Sequence, residues 1–100
     1  MSYRDQTLIP HLRQRTLAAL TCAPRYTGHA YLLRDRLTEC GLAVGGDLLA
    51  AELQWLADAG LVTLETVEGA HIATLTGRGL DVAEGRVTVA GVHRPLPGQG

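Results

Sequence analysis

Residues 53–85, LQWLADAGLVTLETVEGAHIATLTGRGLDVAEG, constrain the fold more than any other stretch. The apolar spacing of Leu53 and Leu56 is helical and stops at Ala59-Gly60, where a glycine can close a helix. After Leu61, Val62 to Val67 read as a strand, and Glu68-Gly69 is a tight turn that sends the chain back through residues 70–75. With a two-residue turn, Val67 faces Ala70, Leu64 faces Ala73 and Val62 faces Leu75. Alternation then puts Val62, Leu64, Ala73 and Leu75 on the face that meets the helices, with Val67 and Ile72 on the other. Thr76 is placed to cap a further helix that carries Leu80 and Ala83 and ends at Gly85.

The rest of the chain supplies helices for this hairpin to rest on. Leu8, Ile9, Leu12, Thr16, Leu17 and Leu20 form one stripe over residues 5–21. Pro10 means that this helix either begins upstream and is kinked there or starts its regular part at the proline. Thr27 is the expected cap of a second helix with Leu33, Leu37 and Cys40 inward and Gly41 as terminator. Leu42 and Val44 should plug the core from the link. Gly45-Gly46-Asp47 opens a third helix, with Leu49, Leu53 and Leu56 inward and Asp47, Leu48, Ala50, Ala51, Glu52 and Gln54 outward. A third short strand near Tyr26 or Val44 is expected beside the hairpin.

Helix, hairpin, helix after two earlier helices is the order of a winged helix-turn-helix. The expected class is therefore α+β, with a three-helix core, a β-hairpin wing, a C-terminal helix and an extended tail. Residues 1–85 form the domain, and residues 86–100, rich in Gly and Pro, form the tail. Val87, Val89, Val92 and Leu96 of that tail should lie in a groove of the domain or, preferentially, of a second copy.

From Leu53 to Gly85, and again through the Val89-Ala-Gly-Val-His-Arg-Pro tail, the chain resembles small winged-helix proteins of Mu-like phages and prophages. Ala23-Pro24 and Tyr26-Thr27 belong to the same likeness. The Gly-Leu-Val strand entry and the Leu-Thr-x-x-Gly-Leu helix start are shared more widely with ArsR- and MarR-like domains. The resemblance implies a small phage protein of winged-helix fold, and analogy with that fold makes a DNA-binding transcriptional regulator the expected function.

Charge decides how such a domain could meet DNA. Net charge is −1, with nine Arg and no Lys. Six Arg fall in residues 1–36, whereas residues 37–84 hold Arg78 against eight acids. The third helix, which in this fold enters the major groove, has no basic residue, so phosphate contacts fall to Arg25, Arg34 and Arg36. Gln54 is its only side chain with base-reading chemistry. The alternative is a protein-interaction winged helix, in which Leu48, Ala51, Val67 and Ile72 dock a second copy or another phage protein. A salt-dependent affinity for duplex would separate the two.

Other chemistries find little support. His11, His29, His71 and His93 lack metal spacing, and Cys22 lacks an orienting carboxylate beside its nearest histidine, so no enzyme, metal or cofactor is expected. Gly77 and Gly79 lack a phosphate-loop lysine and read as close packing. Cys22 and Cys40 are expected as free thiols packed as small hydrophobes. No membrane span or leader stands out, which implies a cytoplasmic protein.

Overall fold

A computed structural model describes residues 3–95. Four helices and a three-stranded antiparallel sheet make a mixed α+β fold, in an order compatible with a winged helix. The elements are α1 (Tyr3–Thr21), a 3-10 turn (Pro24–Tyr26), β1 (Thr27–His29), α2 (Ala30–Glu39), α3 (Gly46–Asp58), β2 (Val62–Val67), β3 (Ala70–Leu75) and α4 (Gly77–Ala83). The sheet order is β1-β3-β2, so the return strand of the hairpin is central.

The hairpin register is the one the turn requires. Val67 pairs with Ala70, Leu64 with Ala73 and Val62 with Leu75. Glu68 and Gly69 take φ of +52° and +80°, which makes a turn whose twist matches that of the flanking strands. Val62, Ala73 and Leu75 are buried against the helices, whereas Thr63, Glu65 and Val67 are exposed.

α1 begins upstream of Pro10 and carries the proline inside it. Its Leu12, Leu17 and Leu20 meet Leu33 and Leu37 of α2 and Leu49, Leu53 and Leu56 of α3 in one leucine-dominated core. Leu42 is buried there and Val44 packs against its edge. Gly79 sits so close to β2 that an added Cβ would fall 1.9 Å from the Leu61 carbonyl oxygen. Backbone packing of α4 on the hairpin entry therefore accounts for this glycine.

Three expectations need correction. Thr27 does not cap α2: it belongs to β1, paired with Thr74, and its Oγ1 lies 3.0 Å from the Thr74 Oγ1. His29 caps instead, its Nδ1 accepting from the Tyr31 N–H at 3.2 Å. The third strand thus forms just after Tyr26 and not at Val44. Glu52 is not outward but buried, because Arg13 of α1 reaches it across the core edge. Cys22 and Cys40 are free thiols, yet both are exposed rather than packed, since each follows the last inward turn of its helix.

Candidate functional site

The α2–α3 unit holds Arg34, Arg36 and Gln54, three of the residues expected to meet DNA. α3 is preceded by Gly45 at its N-cap, which offers no side-chain cap, so the first-turn N–H groups have no side-chain acceptor from that position. Arg34 of α2 fills the neighbouring space: its Nη1 lies 3.5 Å from where a Cβ on Gly46 would stand. A guanidinium therefore sits beside the positive end of α3, on an exposed surface. Asp47 in the same first turn opposes it in sign. Farther along, the Gln54 Nε2 donates to Asp58 Oδ1 at 2.9 Å, so this amide is already engaged along the helix.

The other candidate arginines lie elsewhere. Arg25 is exposed in the 3-10 turn, at φ +55°, and Tyr26 follows at +56°. Two successive bulky residues in the left-handed region are uncommon, and their side chains are turned out of the core. Arg36 faces a groove between α1, α2, α4 and the tail, away from Arg34. Two residues along a helix are separated by about 200°, so α2 cannot present both arginines to one surface. Leu48 and Ala51 are exposed on α3, whereas Val67 and Ile72 belong to the sheet face turned from the helices. The four apolar residues of the docking alternative thus divide between α3 and the sheet.

The best-built polar cluster was not legible in the sequence. Arg13 Nε meets Glu52 Oε1 at 2.5 Å, with the two side chains only 14 % and 11 % exposed. The same guanidinium lies 3.7 Å from the centre of the Trp55 ring, and its Nη1 donates to the Gly91 carbonyl at 3.0 Å. Gly91 takes φ +93°, and a Cβ there would be 2.8 Å from Trp55 Cζ2. Only glycine fits. The cluster ties α1, α3 and the tail together and places Trp55 against the tail.

A second tie lies beside it. The His93 N–H donates to the Pro10 carbonyl at 3.0 Å, and the His11 and His93 rings meet edge to face at 5.7 Å. Burial, then His93, then Arg15 hold the His11 pKa below its ordinary 6.5. Val92 is buried in the core cluster and Val89 packs against it, so residues 86–95 rest on their own chain. Leu96 lies outside the described residues.

No described helix is long and apolar enough to cross a membrane. No protein-family model and no solved structure matches the chain. A curated protein does: over 66 residues the chain is 48 % identical to the uncharacterized protein gp26 of Escherichia phage Mu. The match spans 66 % of this chain and 69 % of that protein. At that identity and coverage, the chain belongs to the Mu-like phage family that includes gp26.

Proposed function

We propose that the chain is a winged-helix DNA-binding protein of regulatory type, acting within the biology of a Mu-like phage. The observation that carries this reading is Arg34 standing beside the open start of α3, within an α1-β1-α2-α3-β2-β3 order. A phosphate at that point would receive the first-turn N–H groups, the helix dipole and a guanidinium together. Arg25, turned outward from its strained turn, is a second phosphate contact. Gln54 would read a base edge only after leaving Asp58.

Salt-dependent binding tests the reading. Duplex titrated by fluorescence anisotropy should bind with an affinity that falls steeply as salt rises. Arg34→Ala should lower the log–log slope by about 0.9, one phosphate's worth, and Arg36→Ala should leave it unchanged. Binding no tighter than about 10⁻⁴ M at about 50 mM salt would overturn it.

A second reading rests on the acids. Asp47 and Asp58 on α3 and Glu65 and Glu68 on the hairpin are exposed, and like-sign phosphates would be repelled there. In that case α3 docks a second copy or another phage protein through Leu48 and Ala51. Loss of self-association or partner binding in Leu48→Asp, with duplex affinity absent throughout, is its signature.

A further inference from the structure

We propose that the groove between α1, α2, α4 and the tail binds a small phosphorylated organic molecule. Four of the nine arginines line it: Arg15 from α1, Arg36 from α2, Arg86 from the turn after α4 and Arg94 from the tail. They come from four separate parts of the chain, so their convergence is a product of folding. Arg86 is held by Asp81 at 2.8 Å and Glu84 at 2.7 Å. Arg15 donates to the Cys40 Sγ at 3.6 Å. Among the described residues no carboxylate lies within ion-pair distance of Arg36 or Arg94, although Glu39 and Glu84 line the same groove and leave the four arginines in excess.

A concave surface with an excess of one sign focuses its field and gathers counter-ions. Guanidinium forks from separate elements suit the several oxygens of a phosphate or diphosphate better than a single carboxylate. The groove is half open to solvent and has a volume of about 850 Å³, in the size range of small-molecule sites. Its walls also include Ala19, Leu37 and Pro95, which give an apolar surface for the organic body of such a ligand. The inference is independent of the DNA reading, which uses Arg34 and Arg25 on another surface.

Cys22 and Cys40, the chain's only two cysteines, line this groove and are exposed, so they report on its occupancy. The full chain is treated with an uncharged maleimide, with adenosine diphosphate as the probe ligand, and labelling of each thiol is followed by mass spectrometry. Adenosine diphosphate should slow labelling saturably, by at least about threefold, as expected when ligand and reagent exclude one another. Adenosine should not protect. In Arg36→Ala with Arg94→Ala protection should vanish, with the circular dichroism spectrum unchanged.

Absence of protection up to about 5 mM, where even weak sites of this kind fill, would overturn the proposal. Equal protection by adenosine would also overturn it, because the arginines would then be idle. A short duplex that protects better than adenosine diphosphate would overturn the small-molecule source and assign the groove to a nucleic-acid backbone. Duplex affinity measured by anisotropy is a separate readout, so the two readings fail independently.

Discussion

Replacing Glu52 with alanine should destabilise the domain far more than an outward position on α3 would allow. The carboxylate meets Arg13 at 2.5 Å where both side chains are nearly out of solvent. Removing one partner of a fully buried pair costs about 3–5 kcal/mol, whereas exposed pairs contribute about 0–1. At 11–14 % exposure the pair stands nearer the first limit. Arg13 would keep the Gly91 carbonyl and the Trp55 face, which softens the loss. The expected cost is about 2–3 kcal/mol, or a fall in Tm of roughly 10–20 °C for a domain of this size. Urea denaturation of Glu52→Ala, Arg13→Met and the double variant measures it. The double should cost about 1–2 kcal/mol less than the sum, because neither charge is then left alone. A single-variant cost below about 0.5 kcal/mol, or an additive double, would refute the account of this cluster.

Three further outcomes follow from the fold. Leu53, fully buried, should cost about 2–5 kcal/mol on replacement by alanine, while the half-exposed Leu48 should cost little; equal losses in denaturant would mean α3 is rotated. Glu68→Asn should raise stability by about 1 kcal/mol, because asparagine tolerates the left-handed turn position that strains glutamate, and a thermal melt checks it. His11 binds its proton less tightly folded than unfolded, so the stability it contributes is present above its ordinary pKa and is lost as pH falls through and below 6.5. The drop in Tm between about pH 7.5 and 5 should therefore be smaller in His11→Gln than in the parent, and equal drops would contradict it.

The hairpin was fully legible because its determinants are local. Glu68-Gly69 sets the turn, and two alternating strands set the register. β1 was only half legible: Thr27, Gly28 and His29 have weak strand character alone and become a strand by pairing with Thr74, Ala73 and Ile72 far along the chain. Threonine is a common helix cap, but the β3 edge offers the Thr27 backbone and Oγ1 better partners. Glu52 misled because helical spacing alone cannot report that Arg13, in another helix, will cover it. The same limit hid the arginine groove, whose members are apart in sequence, and the divergence of Arg34 from Arg36, which stand two residues apart on α2. Periodicity reveals which side chains share a face; it does not reveal what arrives opposite.

The tail's attachment also governs the order in which the molecule assembles. Arg13 and Gly91 are 78 residues apart in sequence, and Pro10 and His93 farther still. Closing so long a loop costs chain entropy that no local contact offsets, whereas a hairpin of two six-residue strands and a two-residue turn forms on the microsecond scale. The hairpin is thus an early event and the joining of residues 10–13 to residues 91–93 a late one, with Trp55 waiting uncovered in between. Bonds made that late act as a latch: they set how slowly the finished molecule opens, and have little say in how quickly it forms.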